Sequence, residues 1–131
     1  MAINTNAHVL VVDDMKPMRK LVTDTLRKIG FNSFSDAQDG NNAWEVLNAA
    51  FKSQKPVELI VCDWNMPGAT GLDFLIRVRG ADEFKSLPFL MVTAETEKDN
   101  IMAAMKAGVS SYILKPFTVA TLNEKLEKCF K

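Results

Sequence analysis

Val57-Glu58-Leu59-Ile60-Val61-Cys62-Asp63 is the stretch that decides the fold. From Leu59 to Cys62 no polar residue interrupts it, as in a strand whose sheet is covered on both faces. Similar runs flank it: His8-Val9-Leu10-Val11-Val12-Asp13 upstream, and residues 88–93 and Ser111–Lys115 downstream. A fifth run, Ser33–Ala37, is only weakly apolar. Five strand-sized runs are therefore expected, most of them buried on both faces.

The segments between these runs carry helical spacing. Met18, Leu21, Val22, Thr25, Leu26 and Ile29 follow one stripe, with Pro17 suited to a first turn and Gly30 to a stop. Trp44, Leu47, Ala50 and Phe51 make a second stripe, and Leu72, Leu75 and Ile76 a third. Ile101, Ala104 and Met105, closed by Gly108, make a fourth. Leu122, Leu126, Cys129 and Phe130 make the last, with Thr118 as N-cap. Each stripe reads as core packing. The order is (βα)5, which is too few units for an eight-stranded barrel and suits an open, doubly wound α/β sheet. Right-handed crossovers then place helices on both faces.

Composition agrees with a single such unit. The chain has 131 residues, 47% hydrophobic and 24% charged, ordinary for one globular domain and wrong for a disordered chain. Residues 1–7 read as a short tail and 8–131 as the domain. Sixteen Lys and Arg balance sixteen Asp and Glu, so the excess positive charge that nucleic-acid binding requires is missing. No apolar run approaches the ~20 residues of a membrane span, and MAINTNAH lacks a signal-peptide pattern. Cys62 and Cys129 stand apart, outside any metal spacing, and read as reduced thiols of a cytoplasmic protein. His8, the only histidine, reads as a solvated strand-end residue.

In an open α/β sheet, ligands bind beyond the carboxyl ends of the strands. Those ends carry Asp13-Asp14, Asp63, Thr93 and Lys115. Each alone is weak, since terminal Asp and Thr often do no more than cap. Together they bring three carboxylates, a hydroxyl and an ammonium to one rim. Three converging carboxylates repel, so they take up protons or a cation joins them. Hard oxygen donors favour Mg²⁺ over zinc. A carboxylate beside Mg²⁺ and a lysine can accept a phosphoryl group as an aspartyl-phosphate. The residues thus describe a Mg²⁺-dependent phosphoryl-acceptor aspartate.

With these positions in view, the chain resembles the response-regulator receiver domains, and within them the chemotaxis branch. The resemblance rests on Val11-Val12-Asp13-Asp14, Asp63-Trp64-Asn65-Met66-Pro67 with Gly71, Met91-Val92-Thr93-Ala94-Glu95, and Tyr112-Ile113-Leu114-Lys115-Pro116-Phe117-Thr118. It implies a flavodoxin-like sheet in the order 2-1-3-4-5, with a cis Lys115-Pro116 bond. By the same resemblance Asp63 is the phosphoryl acceptor, and Thr93 and Lys115 contact the bound group. Asp14, Asp63 and the Asn65 backbone carbonyl hold Mg²⁺, with Asp13 assisting through water. Tyr112, coupled to Thr93, reports phosphorylation on an output face that includes Glu95, Ile101, Met105 and Lys125. The partners implied are a chemotaxis-type histidine kinase, the flagellar motor switch and a phosphatase. Nucleic acid and membrane are absent from that set, and a stand-alone monomer is expected.

Two departures stand out. Met15-Lys16-Pro17 follows the acid pair where small hydroxyl residues are common, placing Lys16 near the pocket. Glu97 and Met105 replace a basic and a small residue of related chemotaxis regulators. One competing reading keeps the receiver but makes it a phosphate sink or relay intermediate. Another is a small Mg²⁺-dependent phosphatase with its nucleophile after the first strand, where Asp14-Met15-Lys16 lacks the required Asp-x-Asp. A flavodoxin is disfavoured because the acid pair would repel the flavin phosphate.

Overall fold

The computed structural model describes residues 3–94 and 98–130. Strands β1 (His8–Val12), β2 (Ser33–Ala37), β3 (Leu59–Asp63), β4 (Phe89–Ala94) and β5 (Ser111–Lys115) alternate with five helices. These are α1 (Lys16–Ile29), α2 (Gly40–Lys52), α3 (Gly71–Arg79), α4 (Lys98–Lys106) and α5 (Val119–Cys129). All strand pairs are parallel, in the order β2-β1-β3-β4-β5. β3 starts two residues later than its apolar run suggested, although Glu58 already donates its N–H to the His8 carbonyl of β1 at 2.8 Å.

Strand residues alternate between two cores, as their two-residue period requires. Val9, Val11, Leu59, Val61, Leu90, Val92 and Ile113 pack with Val22, Leu26, Leu122 and Leu126 of α1 and α5. Leu10, Val12, Ile60, Cys62, Phe89 and Met91 pack with Leu47, Phe74, Leu75, Val78 and Ala104 of α2, α3 and α4. Every residue of β3 is buried, as expected for the central strand. β2, at an edge, is buried only at Ala37.

The helix boundaries follow local chemistry. Pro17 lies in the first turn of α1, and Gly30, at φ 129°, ends it with its N–H bonded to Leu26 and Arg27 carbonyls. Thr70 and Asp73 form a reciprocal capping box on α3, and Thr118 accepts from the Thr121 N–H at the start of α5. Several expected stripe residues face outward: Leu21 is 51% exposed, Phe51 48%, Ile76 54% and Met105 63%. In α3 the buried face is Gly71, Phe74, Leu75 and Val78, the same helical period rotated by one position. Arg79, ending α3, donates to the Gly108 and Leu87 carbonyls, each at 2.8 Å. That guanidinium pins the loop after α4 to the rest of the layer. No described helix is long and apolar enough to cross a membrane.

Candidate functional site

The parallel register sets the carboxyl ends of β1, β3, β4 and β5 side by side, and their terminal residues meet there. Asp63 closes β3 opposite Val92, while Thr93 and Ala94 stand beside Leu114 and Lys115 of β5. Asp13 and Asp14 follow β1 directly. Carboxylate oxygens of Asp13, Asp14 and Asp63 all lie within 4.8 Å of one another. Asp13 is 3% exposed and Asp63 5%, whereas Asp14 is open to solvent.

Each group is held by its own contacts. The Met15 N–H donates to Asp13 Oδ1 at 2.9 Å, and Arg19 Nη1 donates to the Asp13 carbonyl at 2.7 Å. Lys115 Nζ is 2.9 Å from Asp63 Oδ1. That contact is an ion pair by distance, without the alignment of a good hydrogen bond, so Oδ1 keeps acceptor capacity. Thr93 Oγ1, 1% exposed as a residue, has no hydrogen-bond partner among the described residues. A buried hydroxyl without a partner is uncommon, and it leaves bonding capacity at the rim.

Burial pushes the Asp63 carboxyl above its usual value, with the Lys115 ammonium opposing and Asp14 adding to the rise. Burial also raises Asp13, opposed by its Met15 hydrogen bond and reinforced by Asp63. Both shifts record carboxylates crowded together and stripped of water. Among the described residues, the Lys115 ammonium is the cation paired with this cluster of three carboxyls, which leaves the cluster short of positive charge. Three oxygen donors of which two are buried, with no nitrogen or sulfur donor in the cluster, fit a hard cation.

The motif glycine has a steric reason. A Cβ at Gly71 would run into the Asp63 carbonyl, and would approach Met91 Sδ at 2.9 Å and Trp64 Cα at 3.0 Å. The Gly71 N–H donates to the Trp64 carbonyl at 3.0 Å, closing the loop after β3 on itself. Asn65 is exposed in that loop. The Lys115-Pro116 bond is cis.

The output-face residues are more dispersed. Tyr112 is half-buried on β5, and Lys125 Nζ lies 5.0 Å from its ring centroid. Ile101 is half-buried and Met105 projects from α4. Glu95 and Glu97 lie outside the described residues. His8 is less free than its terminal place suggested: its ring nitrogens bond the Lys55 carbonyl at 3.0 Å and Ser35 Oγ at 2.8 Å. Cys62 packs inside β3, its thiol donating to the Asp63 carbonyl at 3.3 Å. Arg19 escaped the sequence reading, although an arginine one turn beyond the acid pair was the available signal.

Comparison with known proteins adds to this geometry. The response regulator receiver domain family matches residues 9–127. The chemotaxis protein CheY-3 of Vibrio cholerae serotype O1 is 45% identical over 129 residues, covering 98% of this chain and 95% of that protein. CheY of Pseudomonas aeruginosa is 44% identical, covering 94% and 95%. Among solved structures, the chemotaxis response regulator CheY4 of Vibrio cholerae superposes with a TM-score of 0.78 at 34% identity, covering 95% and 98%.

Proposed function

The chain belongs to the response regulator receiver family as a CheY-like chemotaxis regulator, a phosphoacceptor signalling protein and not an enzyme, and on that premise we propose Asp63 as its phosphoryl acceptor. The observation that carries this reading is one buried carboxylate paired with Lys115 at 2.9 Å, inside an acidic cluster and beside a strand bearing an unpartnered hydroxyl. Asp13 and Asp14 are less suited: the first has its Oδ1 engaged by a backbone N–H, and the second is exposed, with no ion pair among the described residues.

Asp14, Asp63 and the Asn65 carbonyl would hold Mg²⁺, with Asp13 assisting through water. Bound there, Mg²⁺ supplies positive charge toward phosphoryl oxygens. An Asp63 carboxylate oxygen forms the new bond to phosphorus as the bond to the donor's imidazole nitrogen breaks, and that imidazole leaves with its electron pair. The Lys115 ammonium offsets charge on the transferred oxygens, and the Thr93 hydroxyl donates to one of them. Tyr112, with Ile101, Met105 and Lys125, forms the face whose protein affinity changes.

The donor is a chemotaxis-type histidine kinase acting in the cytoplasm, and the target is the flagellar motor switch. The domain, residues 8–131, works as a monomer, with a phosphatase as a further partner. Transfer from a labelled chemotaxis kinase to wild type and to Asp63→Asn tests this. Label is expected on the wild type alone, and label of equal strength on the variant rejects the assignment.

A further inference from the structure

β2 is hydrogen-bonded on one side only, to β1. Its other edge pairs with no strand among the described residues and is flanked by two clefts. One, of about 880 Å³, lies toward the end of α2 and includes Phe34, Val46, Ala49, Ala50 and Pro56. The other, of about 390 Å³, lies along α1 and includes Lys16, Arg19, Lys20 and Arg27 against Asp24 and Asp36. We propose that this edge receives an extended segment of an acidic partner protein, which adds to the sheet as a sixth strand.

The charge pattern selects the occupant. Four bases face two acids in the α1 cleft. Lys16, Lys20 and Arg27, at helical positions i, i+4 and i+11, are exposed along α1 beside β2. Lys20 pairs with Asp24 at 2.8 Å and Arg27 lies 4.9 Å over the Phe34 ring, so Lys16 is the base of the three that no such contact engages among the described residues. Asp36 shows how a carboxylate docks there: its Oδ2 sits 3.1 Å from Arg19 Nε. A strand added about 4.8 Å further out brings its own carboxylates toward the outer bases. Residues of one strand face recur about every 6.8 Å, close to the ~6 Å that one helical turn of four residues puts between Lys16 and Lys20. The intervening side chains of the added strand fall on the α2 side, where Val46, Ala49 and Ala50 offer apolar surface. The occupant is thus a segment alternating acidic with small apolar residues, bound through its backbone as in other strand additions. A second copy of this chain is a poor occupant. Two β2 edges related by a two-fold axis would set two basic α1 helices side by side on the same face of the joined sheet.

The probe is acetyl-Glu-Val-Glu-Val-Glu-Val-amide, titrated into the ¹⁵N-labelled full chain at low salt. Shifts are expected to concentrate in residues 33–37 and 16–27, with new exchange protection at β2 amides. N-methylation of alternate peptide nitrogens should abolish binding for one set of positions and spare it for the other, which reports strand pairing without altering the protein. Lys16→Glu with Lys20→Glu should weaken binding roughly tenfold, about 1.4 kcal/mol. Equal affinity for the lysine-for-glutamate peptide, or indifference to both methylation sets, overturns the proposal. So does a concentration-dependent dimer that occupies the edge in the absence of peptide.

Discussion

Asp63 owes its character to its neighbours on both sides of the chain. Cys62 precedes it in the core, and burial holds that thiol well above its ordinary value. Cys129, at the end of α5, is pushed up to about 12 by burial. Thiolate is the reactive form, so neither cysteine should alkylate with iodoacetamide at mildly alkaline pH while the fold persists. Mass spectrometry should show both labelled once denaturant is added, and rapid native labelling of Cys62 would contradict the packing of β3. Gly71 is constrained as tightly, by the backbone of the Asp63 loop and the Met91 sulfur. Gly71→Ala should cost about 1–3 kcal/mol through overpacking, read as a lowered urea midpoint with unchanged m-value. A midpoint matching the wild type would show that the loop has room to shift.

At the level of elements, strands were more legible than helix faces. Leu59–Cys62 is apolar without interruption, as a strand covered on both faces requires, and its β-branched residues and short length favour strand over helix. Helix stripes were less determinate, because α3 contains two overlapping apolar series. Leu72, Leu75 and Ile76 fit the helical period, yet the sheet selects Gly71, Phe74, Leu75 and Val78. Periodicity gives the width of an apolar face, whereas the crossing of helix on sheet selects its centre. The convergence of Asp13, Asp14, Asp63, Thr93 and Lys115 was readable because parallel strands deliver their ends to one rim. Arg19 was not, since its role depends on reaching across from α1 to the Asp13 carbonyl and to β2. The link from β4 to the output face gives a further expectation. Thr93→Ala should leave phosphorylation of Asp63 largely intact while removing its effect on binding of a motor-switch peptide. Met105, projecting from α4, should obstruct a groove shaped for a smaller residue, so Met105→Ala should tighten that binding. Fluorescence titration with beryllofluoride-activated protein reads both. Full activation in Thr93→Ala, or unchanged affinity in Met105→Ala, would contradict these assignments.

For the molecule as a whole, the acidic rim is a cost carried by the fold. Asp13 and Asp63 both have folded-state carboxyl values raised by burial. The native state therefore binds more protons than the unfolded chain just above the ordinary carboxylate value. Their contribution to stability is fully present below that ordinary value and is lost as pH rises through the raised native values. Urea denaturation without divalent metal should show this decline toward neutral pH, with a shallower slope in Asp63→Asn. Mg²⁺ at neutral pH should recover stability, by about 2.7 kcal/mol at a hundredfold excess over Kd. An unchanged midpoint at saturating Mg²⁺ would contradict the proposed metal site.

Which carboxylate receives the phosphoryl group is read directly by reductive trapping. The protein is incubated with acetyl phosphate and Mg²⁺, reduced with borohydride to convert the acyl phosphate to an alcohol, and mapped by peptide mass spectrometry. The expected result is conversion at Asp63 alone, lost when Mg²⁺ is chelated. Conversion at Asp13 or Asp14 in its place, or undiminished conversion without divalent metal, would contradict Asp63 as the Mg²⁺-dependent acceptor.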